Sequence, residues 1–129
     1  VVKIATYVEL KCKTMTKEFL PYDRALKLKE LGFDKPCFGS YIDGKLTSLL
    51  DSVLWGDVKG DLPAPLFQQA FRWFREEHNL GHMINGIGYE SFLFNIGGLV
   101  TVFPMFKTYE EAELACLDKL IEIVELKQQ

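Results

Sequence analysis

The chain has 129 residues, 48% hydrophobic and 26% charged, with a net charge of −3 at pH 7. These values sit near the globular average, which excludes a disordered chain and predicts a single domain, 1–129, burying about two-thirds of its unfolded surface. The acidic balance argues against duplex nucleic acid as a partner, because such binders carry a basic excess to neutralise phosphate.

Residues 1–13 read as a strand, with Val2, Ile4, Tyr7, Val8 and Leu10 β-prone and lysines and Glu9 between them. The chain begins at Val1 without an initiator methionine, as a sequence does that starts inside a longer chain or after processing. Its first residues lack the long apolar segment of a signal peptide. A first helix is expected over 21–31, opened by Pro21 and ended by Gly32, with Phe33 folding back on the last turn. Tyr22, Ala25, Leu26, Leu28 and Leu31 form its apolar stripe. Residues 36–50 predict a hairpin around Asp43-Gly44. Residues 51–64 are expected to be irregular with a short strand, anchored by Trp55.

A second helix is expected over 65–78, opened by Pro65, with Phe67, Ala70, Phe71, Phe74 and His78 at helical spacing. Leu66 and Trp73 widen that stripe, and Arg72, Arg75, Glu76 and Glu77 form the solvated side. Residues 82–106 predict a second strand pair. Ile84–Tyr89 carries two glycines, Phe92, Phe94 and Ile96 alternate with more polar neighbours, and Gly97-Gly98 marks a turn into Leu99–Phe103. A third helix is expected over 109–126, with Thr108 and Glu111 as a capping box and Leu114, Leu117, Leu120, Ile121 and Val124 as its stripe. Three helix starts share an aromatic, two polar residues and an alanine: Tyr22 to Ala25, Phe67 to Ala70 and Tyr109 to Ala112. The spacing predicts an aromatic over a sheet end and an alanine that lets helix and sheet approach closely.

The chemistry-bearing residues form no complete motif. His78 and His82 are four apart, but Asn79-Leu80-Gly81 breaks the helix between them, and no H-E-x-x-H is present. Glu76-Glu77-His78 point in different directions on one helix and read as a solvated face. The cysteines, Cys12, Cys37 and Cys116, are odd in number and lack a C-x-x-C pair, which predicts reduced thiols in a cytosol. Cys116 falls in an apolar helical pattern. Cys37 has no signature linking it to a base, as a nucleophile requires. The glycines match no phosphate loop, and Asp43-Gly44 matches no calcium loop. No catalytic, metal or cofactor-binding residue is therefore assigned. The aromatic load is 13%, and its helical and alternating spacing assigns it to the core first. Arg72, Trp73, Arg75, His78 and His82 remain as a candidate interface.

Three stretches carry a resemblance: YDRALKLKELGFDKPCFGSY from Tyr22 to Tyr41, PLFQQAFRWFREEHNL from Pro65 to Leu80, and YEEAELACLDKLIEIV from Tyr109 to Val124. Together they resemble small uncharacterised proteins of bacteriophages and prophages and of Bacteroides-type gut bacteria. The resemblance implies an accessory protein in a bacterial cytoplasm and carries over no catalytic residue. The expected architecture is α+β: an antiparallel sheet of hairpins with about three helices packed on it. The expected function is that of a non-enzymatic binding protein whose partner is a protein, a small ligand or a second copy, with no membrane span. The competing readings are a nucleic-acid-associated protein using Arg72 and Arg75, and a small enzyme using Cys37 or a histidine.

Overall fold

The computed structural model describes residues 16–48, 62–88, 90–97 and 105–129. The expected strand 1–13, Trp55 and the expected strand 99–103 lie outside the described residues. Within them the class is α+β, with three helices and two small antiparallel sheets. The chain divides into two compact units, Val1–Ala70 and Phe71–Gln129.

In the first unit a short 3-10 turn, Thr16–Glu18, leads to α1, Tyr22–Glu30. Pro21 precedes the first helical residue, with its fixed φ of −58° and an extended ψ. The C-terminus closes as the sequence predicts. Gly32 takes a φ of 108°, which a β-carbon would oppose. The Gly32 N–H bonds to the Lys29 carbonyl, and the Phe33 N–H reaches back to the Leu28 carbonyl. Those two bonds satisfy carbonyls that a helix end leaves free, while Phe33 and Leu28 are both buried. Ala25 and Leu28 form the buried stripe of α1, whereas Leu26 and Tyr22 are exposed.

The hairpin forms from β1, Gly39–Ile42, and β2, Lys45–Ser48, with Ile42 opposite Lys45. Asp43 and Gly44 between them have φ of 51° and 78°, the doubly positive turn whose twist matches the strands it joins. β3, Leu62–Ala64, pairs with the other edge of β1, so the order is β2-β1-β3. Gly39 is where this sheet meets the chain before α1. A β-carbon there would lie 2.7 Å from the Phe19 ring, closer than packed atoms approach. Phe19 itself pairs antiparallel with Leu66, and the Leu20 N–H bonds to the Pro65 carbonyl at 2.9 Å. The Tyr41 hydroxyl donates to the Leu20 carbonyl.

α2, Phe67–His78, supplies Phe67 and Ala70 to the first unit and Phe71 onward to the second. Asn79 ends it with a φ of 54°, and the Leu80 N–H bonds to the Phe74 carbonyl. The second unit continues with β4, His82–Gly88, and β5, Ser91–Ile96, paired antiparallel with a bulge between Gly86 and Gly88. Among the described residues β5 pairs with β4, and Phe92 of β5 also bridges antiparallel to Phe106, on the far side of Gly97. The signal that hides β4 is its composition: two glycines and a bulge interrupt the alternation on which strand patterns depend.

α3, Tyr109–Lys127, packs across β5 and β4. The Thr108 hydroxyl accepts from the Glu111 N–H at 3.1 Å, the N-cap half of the expected capping box. Its buried face is Ala112, Cys116, Leu117, Leu120, Ile121 and Val124, with Leu114 half-buried. Phe94 and Ile96 are the buried residues of the sheet.

All three alanines of the shared helix start are buried. Tyr22 meets Tyr41 of β1 edge-on at 5.3 Å, and Tyr109 meets Phe92 of β5 edge-on at 6.3 Å. The aromatic at each of these two helix starts therefore lies over a strand aromatic, as expected, yet remains 45% and 40% exposed.

Phe71 is among the largest fully buried side chains. Phe71→Ala is expected to lower unfolding free energy by about 3–5 kcal/mol through lost transfer energy and an unfilled cavity. A urea titration measures it, and a loss under about 1 kcal/mol would place this side chain outside the core.

Candidate functional site

The five residues singled out from the sequence occupy different environments. Arg72 and Arg75 are exposed on α2, and the Arg72 guanidinium pairs with Glu76 at 2.9 Å one turn on. Trp73 is only 5% exposed and packs edge-on against Phe74 at 5.1 Å. It is a core residue in this chain, as are Phe67, Phe71, Phe74 and Phe94. Stacking on bases needs aromatic faces open to a basic groove. These rings instead face the interior, and the arginines stand without them.

His78 is half-buried, edge-on to Trp73 at 4.8 Å. His82 is half-buried as the first residue of β4, with its ring stacked on Phe71 at 3.8 Å and 15°. Its Nδ1 is buried without a hydrogen-bond partner among the described residues. Burial holds the imidazole below its ordinary pKa of 6.5, and the positive charge of Arg75 adds to that. Each histidine is thus occupied by aromatic packing. Among the described residues no group of three or more His, Cys, Asp or Glu is arranged to hold a metal ion.

The thiols point away from nucleophilic chemistry. Cys37 is half-buried, and its Sγ–H donates to the Lys35 carbonyl at 3.3 Å. Burial pushes its pKa up to about 11. Cys116 lies wholly inside α3's buried face, where burial, with Glu113 nearby, pushes it up to about 12. A nucleophilic cysteine needs a shift in the opposite direction. Cys12 lies outside the described residues.

The feature that sequence reading missed is the outer face of the second sheet. Residues 82–88 and 91–96 contain no Asp, Glu, Lys or Arg. Register sets His82 against Ile96, Ile84 against Phe94 and Gly86 against Phe92. Phe94 and Ile96 are buried, so this set faces the core. Alternation puts Met83 and Asn85, with their partners Asn95 and Leu93, on the opposite side. Met83 is 58% exposed, and Ile87, the extra residue at the bulge, is 59% exposed. The arrangement is an apolar, uncharged surface set with two amides. A signal for it was present: two adjacent uncharged segments whose apolar residues exceed what one face can bury.

Among the described residues no helix is long and apolar enough to cross a membrane. Comparison with protein-family models, with curated proteins and with solved structures finds no match to this chain.

The thiol environments make a direct prediction. At pH 8 Cys116 should react with a small thiol reagent only after denaturation. Cys37 should react slowly, with a rate that keeps rising toward pH 11 as its thiolate forms. Labelling followed residue by residue in mass spectrometry checks this. A Cys37 midpoint below the ordinary value of about 8.5 would reveal a cationic or basic neighbour and revive the enzyme reading.

Proposed function

We propose that this chain is a non-enzymatic binding protein that engages a protein partner of apolar, uncharged surface through the outer face of β4 and β5. The observation that carries the reading is the exposure of Met83 and Ile87 on a pair of strands without a single charged side chain, the charge of Glu90 lying in the turn between them. Exposed large apolar side chains grouped in this way mark interaction sites more often than isolated ones do. Asn85 and Asn95 on the same face offer amide donors and acceptors that give such a contact orientation. The raised pKa of both described thiols supports binding over nucleophilic chemistry. The buried state of Trp73 and its aromatic neighbours, with Arg72 paired to Glu76, supports a protein partner over single-stranded nucleic acid.

The setting we propose is that of a phage or prophage accessory protein in the cytoplasm of a bacterial host. It rests on the resemblance of the segments at Tyr22–Tyr41, Pro65–Leu80 and Tyr109–Val124 alone.

The test is affinity capture from host extract with the wild-type chain and with a Met83→Lys, Ile87→Lys double variant. Both positions are exposed, so the variant should keep its stability within about 1 kcal/mol, two surface changes of about 0.5 each. The wild type should retain a discrete protein that the double variant loses, while an Arg72→Gln, Arg75→Gln variant retains it. Equal capture by wild type and Met83→Lys, Ile87→Lys would refute the assignment of this face. Capture lost only with the arginines, and sensitive to nuclease, would transfer the function to nucleic acid.

A further inference from the structure

His82 stands at the root of the proposed binding face. It is the first residue of β4, and Met83, the next, points to the opposite side of the strand. Its backbone pairs with Ile96, and beyond that pair the Gly97 N–H bonds to the Gly81 carbonyl at 2.9 Å, closing the open end of the hairpin. Its ring lies flat on Phe71 of α2. The imidazole therefore joins the end of the hairpin to the helix before it.

That joint accepts a neutral ring and resists a charged one. When an imidazole is protonated both nitrogens become donors. The buried Nδ1 of His82 has no hydrogen-bond partner among the described residues, so a proton on it would leave an unsatisfied buried donor. Among the described residues the groups around it add no compensating negative charge. α2 contributes Phe71 and the cationic Arg75, β5 contributes the apolar Ile96, and the face that α3 buries is apolar throughout. The half-buried Glu113 of α3 exerts its effect on Cys116. The face of Phe71 attracts a cation, but burial, the orphaned donor and Arg75 all oppose it.

We propose that His82 is an acid-sensitive latch, whose protonation frees the hairpin root from α2 and loosens the face carrying Met83 and Ile87. The proposal rests on the reading of that face as a partner surface, and it names how binding there is regulated. The sign follows from the lowered folded-state pKa. Stability contributed by the neutral ring is complete above the unfolded value of about 6.5 and is lost as pH falls through the folded one.

The experiment follows the His82 ring proton by NMR from pH 8 to pH 4.5, together with amide protection factors across β4 and β5. The ring should titrate below 6.5, and hairpin protection should fall over the same interval. That fall is bounded at about tenfold for each unit by which the midpoint lies below 6.5. His82→Phe keeps the stack without a titrating group and should hold its protection through the interval. His82→Gln, also uncharged, serves if the first variant does not fold. A ring midpoint at or above 6.5, or an equal loss of protection in the uncharged variants, would overturn the latch. Partner capture at pH 7.5 and 5.5 separates the two proposals. Hairpin loosening with capture unchanged would uphold the latch and refute the binding face.

Discussion

Close approach of helix to sheet is the constraint on which both units depend. Among the described residues each sheet is small, with strands of three to seven residues, and a two-stranded sheet alone is marginal in water. Stability must come from the helix laid against it, and a helix can approach only where its contacting side chains are short. Ala25 and Ala112 sit at that point, each three residues after the first residue of its helix and each buried. A larger side chain would force the helix outward along its whole length and unpack the residues that follow, such as Leu28 and Leu117.

Around these alanines the two units repeat more than the sequence pattern shows. Phe19 and Phe106 lie three residues before Tyr22 and Tyr109. Each makes a single antiparallel pairing with another segment, Phe19 with Leu66 and Phe106 with Phe92. Each is followed by a tyrosine set edge-on over a strand aromatic. The order is thus pairing phenylalanine, covering tyrosine, buried alanine, at equal spacing in both units. A short pairing fixes where the chain enters, the tyrosine fixes the tilt, and the alanine fixes the depth. One physical problem, docking a helix start on a sheet end, receives the same solution twice, whether by duplication or by convergence.

Which parts were legible follows from which signals are local. The caps of α1 and α3 and the Asp43-Gly44 turn are decided by a few adjacent residues, and each forms where the sequence places it. The core of α2 is legible because helical spacing survives intact from Phe67 to Phe74. Pairing is a different matter. Ser91–Ile96 reads as a strand, but nothing in six residues says which neighbour it joins. The Gly97-Gly98 signal points forward, and the described residues show a Phe92–Phe106 bridge on that side as well as the pairing backward with β4. The candidate interface suffered from the same limit. Arg72 and Trp73 are adjacent in sequence, yet one is exposed and the other buried, because successive helical residues point about 100° apart. Met83 and Ile87 escaped notice because exposure depends on which face α3 covers, and that is set by an element more than twenty residues away.

The composition of the second hairpin separates what folding requires from what it does not. Folding requires one apolar face, and Ile84, Phe92, Phe94 and Ile96 supply it. On the other face stability alone would favour threonine, lysine or glutamate, which keep a short sheet soluble and discourage pairing between chains. The chain places Met83, Leu93 and two asparagines there instead, and leaves Ile87 exposed at the bulge. Burying the root of this same hairpin under a histidine whose Nδ1 lacks a partner among the described residues is a second departure from the most stable choice, since a phenylalanine would fill the stack with no polar atom to satisfy. Two such departures on one hairpin, one on its surface and one at its root, are places where local stability yields to another requirement, and that is why the proposals rest there.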